Sequence, residues 1–449
     1  MNILNTSDVV RIAQASRTRK DETAKRLRYY ADEQSDETLR LISQRWSQPD
    51  KFRVFTVNMT RKITDRRAST YRLPPRRVFT GIDQAAGEAL YRAMNADAVL
   101  KKASRYTKLC KSGLLQVSWN EAAGTPVLNV LTPNVLDVLH AGNPEQPSRV
   151  IVTHAATRAE DVSYSNWTPT GFQRLNFRGA AQRVAGNPFG SNPYGVLPFV
   201  PLFDRVPDDE FFLPGGRDLI ESQDALNVAL ANLWRSVELQ AHGQAWATGI
   251  PANEQLNIGP DRAIALPQGS MFGFASPNAP INEILAAIEF LMRQTAATHD
   301  CGSDIFDLSK VAESGSAKHA GRIELKEARI DDIAMWRVVE QRLFAVLKVV
   351  VNTHAPGTIP DGATVAIDFA EMQDQLSESE QLENTRTKLE LGLWSPVDAL
   401  MGLNPDAYPD RGAAQAELQR RRTEADALAP PTPISSAPAN APATQGNAQ

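Results

Sequence analysis

Residues 197–241 have the sequence LPFVPLFDRVPDDEFFLPGGRDLIESQDALNVALANLWRSVELQA, which joins a strand-like segment to a long helical one. Pro198–Phe203 is apolar and short, as expected of a buried strand. Pro214–Gly216 then ends the regular secondary structure, because proline and glycine are its strongest local breakers. Beyond them, apolar residues recur at steps of 4, 3 and 4, the spacing of one helical face, at Leu226, Leu230, Leu233 and Val237. The sequence therefore predicts a buried strand, a sharp break and a helix that runs to about Ala245.

The chain after this helix alternates between small polar modules and long helices. Residues 247–280 are rich in glycine and proline and contain the strand-like run Met271–Phe274. A second helix is predicted from about residue 282 to 302. Residues 303–316 are a short polar segment that we expect to be a flexible loop. The longest helix is predicted over 317–354. Its apolar face consists of Met335, Val339, Leu343, Val346 and Val350.

The chain before residue 197 changes from helical to strand-like patterns. Helices are predicted over 18–47 and 83–111. Leu114–Trp119 and Val127–Leu131 flank Gly124 and predict a β-hairpin. Further extended segments are predicted at Leu136–His140 and Val150–Thr153, with loops and short strands over 155–195.

The last part of the chain combines a strand, helices and a polar tail. Thr364–Phe369 alternates as a strand does, and Ser377–Leu391 is a charged helix. Ser395 and Pro396 open another helix, since proline is favourable in the first turn. Residues 429–449 contain five prolines and no charged residue. We predict that this tail is disordered.

Composition places the chain among globular proteins of more than one domain. It has 449 residues, about three domains by length, and 42% are hydrophobic. The mean hydropathy is −0.33 and no long apolar run occurs, so no membrane segment is expected. The first ten residues lack the apolar core of a signal peptide. Cys110 and Cys301 are too few and too far apart for a disulfide framework, and we expect both to be small buried side chains in a reducing compartment.

The charge is unevenly distributed along the chain. The net formal charge of −4 divides into +12 over residues 1–111 and −16 over residues 112–449. Such an asymmetry indicates contact with nucleic acid or head-to-tail pairing between subunits.

Motifs for catalysis are absent from the sequence. It has no GxxxxGK[ST] phosphate loop, no GxGxxG after a strand and no GxSxG nucleophile elbow. None of the six histidines lies within five residues of another. His299, Asp300, Cys301 and Asp304 leave a metal site open as an alternative, but incidental polar residues at a helix end are favoured. We therefore expect no enzyme, no cofactor and no metal.

A basic stretch over residues 61–77 has two interpretations. It consists of Arg61, Lys62, Arg66, Arg67, Arg72, Arg76 and Arg77. These residues form either a charged helix and turn that pair with acidic neighbours, within or between subunits, or a surface that contacts DNA phosphates. Phosphate contact requires only positive charge, and a single aromatic residue, Tyr71, gives little support for base stacking. Of this stretch, Arg61, Lys62, Arg66, Arg67, Arg76 and Arg77 are the candidates for DNA or inter-subunit contacts.

Several short motifs, taken in order, resemble the portal proteins of tailed bacteriophages, of siphophage-like type. Val57-Asn58 leads into the basic helix, which ends at Tyr71 and Pro74-Pro75, and the two-strand segment is followed by Leu131-Thr132-Pro133. The proline-rich strand at 197–202 precedes a helix with Asp218-Leu219-Ile220-Glu221 and Asp224-Ala225-Leu226-Asn227. Ser314-Gly315-Ser316-Ala317 is similar to the family's S-G-x-A element, and the order of helix, small module, helix, loop and very long helix also matches. The resemblance covers about residues 50–425.

The resemblance implies an α+β, mainly α fold with a wing, a stem, a clip and a short crown that assembles as a ring. Its parts are 1–216 as the N-terminal wing, 217–246 and 281–300 as stem helices, 247–280 as the clip, 301–316 as the tunnel loop, 317–371 as a helix and strand returning to the wing, 372–428 as the crown, and 429–449 as the tail. The tunnel-loop position implies that DNA passes Ser309, Lys310, Glu313, Ser314, Lys318, His319 and Arg322. For Lys310, Lys318, His319 and Arg322, solvation at a helix start or pairing between subunits is an equal alternative.

The implied function is a dodecameric channel at one capsid vertex of the virion, through which double-stranded DNA is packaged and ejected. The implied partners are further copies of the chain, the large terminase, the head–tail adaptor, and the major capsid and scaffolding proteins, with assembly in the host cytoplasm and no membrane. A DNA-acting enzyme or a DNA-binding protein of the phage head remain alternatives. The first would need carboxylates that converge on metal ions, and the second would bind duplex through residues 1–111 with a steep salt dependence.

Overall fold

The computed structural model describes residues 6–184, 187, 190–242, 244–249, 266, 268–275, 280–302, 306, 323–370, 378–404, 407–408 and 410–428. The fold is α+β with helix predominating over several small sheets. The chain forms two compact units, residues 1–372 and 373–449.

The first unit begins with six helices and one strand. The predicted helix 18–47 is two helices, because Asp32 adopts a left-handed conformation (φ 71°) and ends the first of them. The predicted helix 83–111 is likewise broken at Asn95 (φ 49°). The elements are α1 (Thr6–Ala15), α2 (Arg17–Tyr30), α3 (Ser35–Arg45), α4 (Met59–Arg67), β1 (Arg76–Thr80), α5 (Gln84–Ala93) and α6 (Ala96–Cys110).

Two sheets follow α6. The predicted hairpin is confirmed, and its first strand is the centre of a three-stranded sheet in the order β3-β2-β9. Pro201 lies in β9, an edge strand of this sheet. Proline has no backbone N–H to donate, and an edge strand tolerates it because no further strand pairs with its outer side. A five-stranded antiparallel sheet runs in the order β4 to β8. The strands are β2 (Ser112–Asn120), β3 (Thr125–Leu131), β4 (Leu136–His140), β5 (Pro147–His154), β6 (Ser163–Trp167), β7 (Phe172–Asn176), β8 (Ala181–Gln182) and β9 (Phe199–Phe203).

The helix predicted after Pro214–Gly216 is α7 (Arg217–His242), and it pairs with α8 (Ile281–Thr298). Strands β10 (Gln244–Thr248) and β11 (Met271–Ala275) form an antiparallel hairpin between them. Leu226 of α7 and Ile288 of α8 are buried in one cluster. Leu230 and Leu233 of the predicted α7 face pack against it, whereas Val237 is exposed. The described part of residues 217–302 therefore forms a helical hairpin with a β-hairpin between its two helices.

The long helix α9 (Ile323–His354) lies at the centre of the main core. It packs against β2, β9 and β12 (Thr364–Asp368), and β12 pairs with β1 to close the unit. Within the predicted apolar face, Leu343 and Val350 are buried, whereas the other three positions are partly exposed. Because the helix contacts more than one sheet, its buried stripe is wider and includes Trp336, Phe344, Leu347 and Val351.

Three helices lie in the described part of the second unit: α10 (Glu378–Glu390), α11 (Pro396–Leu403) and α12 (Arg411–Leu428). The prediction that Ser395 and Pro396 open a helix is confirmed. Ser395 Oγ accepts a hydrogen bond from the N–H of Asp398, while the Asp398 carboxylate accepts one from the N–H of Ser395. This reciprocal arrangement satisfies donors that a helix start would otherwise leave unpaired.

Three predictions fall wholly or largely outside the described residues: most of the clip module over 247–280, the tunnel loop and the tail over 429–449. Cys110 and Cys301 are buried and unpaired, as predicted. No described helix is both long and apolar enough to span a membrane.

Candidate functional site

The basic stretch divides into outward and inward side chains. Arg61 and Lys62 are exposed on α4, and Lys62 Nζ lies 4.6 Å from the centre of the Phe306 ring. Arg66 and Arg67 are half-buried: Arg66 Nε and Arg67 Nη1 are enclosed and have no hydrogen-bond partner among the described residues. One helix thus presents two arginines towards the interior and two basic residues to solvent.

Arg76 and Arg77 have opposite environments although they are adjacent in β1. Arg76 is exposed, whereas the Arg77 side chain is 8% exposed and donates to Glu340, with Nε–Oε2 and Nη2–Oε1 distances of 2.9 and 2.8 Å. Its Nη1 also donates to Asp97 at 2.7 Å. Burial alone would lower the pKa of Arg77, but the hydrogen bonds to Glu340 raise it above its ordinary value. The charge of Arg77 is therefore neutralised within the chain.

The seven tunnel-loop candidates lie outside the described residues. They are Ser309, Lys310, Glu313, Ser314, Lys318, His319 and Arg322. Their placement in a channel stays a prediction.

A buried polar seam fixes the first half of α7 to the N-terminal helices. Gln223 accepts a hydrogen bond from the N–H of Thr60 at 2.9 Å and donates to Asn227 at 2.8 Å. Asn227 in turn donates to Gln34 at 2.9 Å. All four side chains are buried, so the seam fixes the position of α7 relative to α4 and the start of α3.

A second polar cluster lies where the long helix, α6 and β9 meet. Lys108 is buried and donates to Asp204 and Asp332, each at 2.7 Å, and Lys111 donates to Asp204 at 2.8 Å. Burial would raise the pKa of Asp204, but the charges of Lys108 and Lys111 hold it below its ordinary value. Burial raises the pKa of Asp332, which only one lysine contacts. The cluster ties three elements together at the base of the helical hairpin.

A pocket of about 170 Å³ lies beside this cluster, and we call it the base pocket. Its walls come from α4, the end of α6, the start of α7 and the residues after α8. They include Thr64, Arg67, Lys108, Lys111, Asp204, Gly216, His299 and Asp300. His299 Nε2 lies 3.1 Å from Asp218 Oδ2, within ion-pair distance but without hydrogen-bond geometry, and Arg67 Nη2 lies 3.3 Å from Asp300 Oδ2. Burial lowers the pKa of His299, which favours its neutral form.

The helical hairpin exposes an unusual amount of large apolar surface. Phe290 on α8 is 69% exposed, and Met271 and Phe274 on β11 are 61% and 55% exposed. Other exposed apolar residues on the same hairpin are Trp234, Val237, Trp246 and Leu285. Scattered single residues of this kind are ordinary, but a concentration on one helical hairpin is typical of a surface that another chain covers.

Sequence reasoning missed both the lysine–aspartate cluster and the base pocket. Each is assembled from segments more than ninety residues apart, such as Lys108 and Asp204. The only local signal was a weak one, the isolated His299 and Asp300 at a helix end. No metal site appears there or elsewhere in the described part of the chain.

Comparison with known proteins found structural neighbours of low sequence identity. No protein-family model and no curated protein matches the chain. Among solved structures, a component of the native gene transfer agent virion aligns with a TM-score of 0.43 and 14% identity over 74% of this chain and 85% of the other. A component of the native particle's neck, computed with C12 symmetry, gives 0.43 and 14% over 77% and 89%, and one from the empty particle's neck, computed with C6 symmetry, gives 0.44 and 15% over 74% and 85%. At these scores and identities the likenesses do not assign a function.

Proposed function

We propose that this chain is the subunit of a portal ring, a closed oligomer with a central channel for double-stranded DNA. One observation carries the proposal: a helical hairpin exposes apolar side chains on both helices and on the β-hairpin between them. At 1.5 Å per residue, α7 and α8 are about 39 and 27 Å long, so the hairpin is a major feature of the subunit.

The exposed apolar side chains support a ring because they need a partner. Each fully buried large apolar side chain contributes about 1.5–3 kcal/mol. Contacts in which one face of a subunit meets a different face of the next copy close into a ring when the rotation between copies closes. The charge asymmetry, +12 over residues 1–111 and −16 over the rest, is of the kind that would favour such unlike faces.

The same proposal assigns DNA transport to the channel. A wall that gripped a polyanion tightly would stall it, and the acidic 112–449 segment is suited to sliding. In this scheme the tunnel loop over 301–316 contacts DNA, the clip binds the large terminase and then the head–tail adaptor, and capsid and scaffolding proteins surround the ring. The chain itself carries out no catalysis.

Ring assembly can be tested on the hairpin itself. Phe290→Ser should reduce the fraction of chain in rings while the thermal midpoint of the monomer stays unchanged, because the side chain has no substantial cover within the subunit. Leu393→Ser is the matched control, since Leu393 is 70% exposed but lies in the second unit. Sedimentation velocity measures the ring fraction of both variants, and thermal denaturation measures their midpoints. Equal ring fractions for the two variants would show that Phe290 of the hairpin does not contribute to the ring interface.

DNA transport is tested separately, in particles. Deletion of residues 305–314 should leave rings intact and impair the packaging or retention of DNA, measured as DNA per purified particle. Normal packaging by the deletion would contradict the assignment of the tunnel loop without affecting the ring.

A further inference from the structure

We propose that residues 52–57 of one subunit add as a third strand to the two-stranded sheet of β1 and β12 in the next subunit. The inference rests on the proposed ring and names two surfaces that meet in it. One surface is the outer edge of β12. The other is the 52–57 segment, which has the exposure pattern of a strand but belongs to none of the described sheets.

The sheet of β1 and β12 is closed on one edge and open on the other. On the β1 edge, the Gln84 side chain accepts a hydrogen bond from the N–H of Phe79 at 3.0 Å and donates one to the C=O of Arg77 at 2.8 Å. These backbone groups therefore point away from β12. Their register partners in β12, Val365 and Ile367, must point away from β1, because opposed residues of an antiparallel pair either bond to each other or both face outward. No hydrogen bond from the described part of the chain reaches the N–H or C=O of these two residues.

The outer edge of β12 also lacks the features by which edge strands usually avoid a partner. Such edges are blunted by lysine, proline or a β-bulge. Residues 364–368 read Thr-Val-Ala-Ile-Asp, without lysine or proline, and their register with β1 is unbroken. A sheet of two strands is also marginal in stability, and a further strand strengthens it. The edge of β12 is therefore suited to accept a strand.

The 52–57 segment is suited to supply that strand. Its sequence, Phe-Arg-Val-Phe-Thr-Val, consists mainly of aromatic and β-branched residues, and its side chains alternate between half-buried and exposed. The side chain of Gln223 donates to the C=O of Val57 at 2.8 Å. Because successive residues of an extended chain direct their N–H and C=O groups to opposite sides, Val54 and Thr56 direct theirs away from Gln223. No hydrogen bond from the described residues reaches the backbone of residues 53–56.

One antiparallel register satisfies both edges at once. Val54 then stands opposite Ile367 and Thr56 opposite Val365, so the unpaired groups of the segment meet those of β12. The same register places the exposed side chains of the segment beside the exposed side chains of the sheet, and the half-buried ones beside the buried ones. A shift by one residue would break both matches, because the side-chain period of a strand is two residues.

The charges at one end of this register are complementary. Arg53 stands opposite Asp368, and both side chains are exposed. The guanidinium of Arg53 lies 5.7 Å from the ring centre of Trp234 and forms no ion pair with the described residues. Asp368 forms none with them either, although Arg76 is its register partner in β1. Arg53 belongs to the basic residues 1–111 and Asp368 to the acidic remainder, so the contact joins unlike faces, as a ring of identical copies requires.

A disulfide between neighbouring subunits tests the register. Phe55 and Ala366 stand opposite each other on the exposed face, with Cα atoms about 4.5 Å apart, which is within disulfide range. Oxidation of the full-length chain carrying Phe55→Cys and Ala366→Cys should therefore give covalent oligomers larger than a dimer on a non-reducing denaturing gel. Cys110 and Cys301 are buried and should not contribute.

The matched control moves one cysteine across the same sheet. Val78 is the register partner of Ala366 and is 43% exposed, but it lies one strand farther from the segment. Two strand spacings give about 10 Å, which is beyond the Cα separation of about 7 Å that a disulfide can bridge. Phe55→Cys combined with Val78→Cys should therefore leave the chains unlinked.

Native mass spectrometry of both variants before oxidation scores the ring separately. Rings with a covalent ladder only in the variant that carries Ala366→Cys support the proposal. Rings without a ladder, or with equal ladders in both variants, would overturn strand addition and leave the ring standing. Monomers without any cross-link would overturn strand addition and the ring together.

An exchange of charges gives a second test that needs no cysteine. Arg53→Glu should raise the concentration at which half of the chain is in rings by about threefold or more, because an attraction becomes a repulsion. Arg53→Glu with Asp368→Arg should restore assembly. Arg72→Glu, at another exposed arginine of residues 1–111, is the control and should assemble as the natural chain does. A double variant that assembles no better than Arg53→Glu alone would contradict the register.

Discussion

Replacement of Glu340 by glutamine tests whether Arg77 is a structural residue or a contact to DNA. Glu340 is fully buried on α9 and accepts hydrogen bonds from the Tyr71 hydroxyl at 3.0 Å and from two nitrogens of Arg77. Glutamine has nearly the same shape, so packing is retained. It carries no charge, however, and its amide N–H₂ group faces the arginine donors.

The expected loss of folding stability follows from the charge of Arg77, which remains buried in the variant. Removal of one partner of a buried ion pair costs about 3–5 kcal/mol, because the other charge is left buried without compensation. Arg77 keeps Asp97 at 2.7 Å, so we expect the lower end, about 3 kcal/mol. The entropy of unfolding is about 2.1 cal/mol/K per residue, so for the unit of residues 1–372 the melting temperature should fall by about 4 °C.

Thermal denaturation followed by circular dichroism measures this shift. Arg76→Gln is the control, since Arg76 is the exposed neighbour and should change stability by less than about 0.5 kcal/mol. Combining Arg77→Met with Glu340→Met should recover most of the loss, because the pair is then replaced by apolar side chains. The reasoning is refuted if Glu340→Gln lowers the melting temperature no more than Arg76→Gln does.

Two further predictions follow from pKa values shifted by burial. Burial raises the pKa of Cys110 to about 12 and that of Cys301 to about 11, so both thiols should resist alkylation in the folded chain near pH 8 and react once it is unfolded. Rapid labelling of the native chain, counted by mass spectrometry, would contradict this. Burial lowers the pKa of His299 below the unfolded value, so its contribution to stability is present above about pH 6.5 and is lost as the pH falls through the lowered value. Between about pH 7 and pH 5, the melting temperature of His299→Gln should therefore fall less than that of the natural chain. An equal fall in both proteins would contradict this prediction.

Local patterns predicted the elements whose signals lie within a few residues. The hairpin about Gly124, the buried strand at Pro198–Phe203 and the helix after Pro214–Gly216 are all confirmed, because turn residues and periodicity mark them directly. The breaks at Asp32 and Asn95 were missed. Neither position is glycine or proline. Asp and Asn adopt the left-handed conformation more often than other residues with a side chain, but still too rarely for one of them to mark a helix end.

Long-range pairing could not be predicted from such patterns. Arg77 pairs with Ile367 across β1 and β12, and Arg77 meets Glu340 only because that sheet packs on α9. The basic stretch therefore looked uniform in the sequence, although its arginines have different environments in the fold. The base pocket was even harder to predict from sequence patterns, because Thr64, Lys111 and His299 come together from three distant segments.

Negative-stain microscopy of the purified chain across concentrations, with native mass spectrometry alongside, shows whether the chain forms a portal ring. A portal subunit should form rings with a central channel and, for a dodecamer of 49.2 kDa chains, a mass of 12 × 49.2 kDa, about 590 kDa. Because some rings form only on a scaffold, the measurement is made with and without the scaffolding protein. A monomer of 49.2 kDa at every concentration in both conditions would contradict the proposed ring.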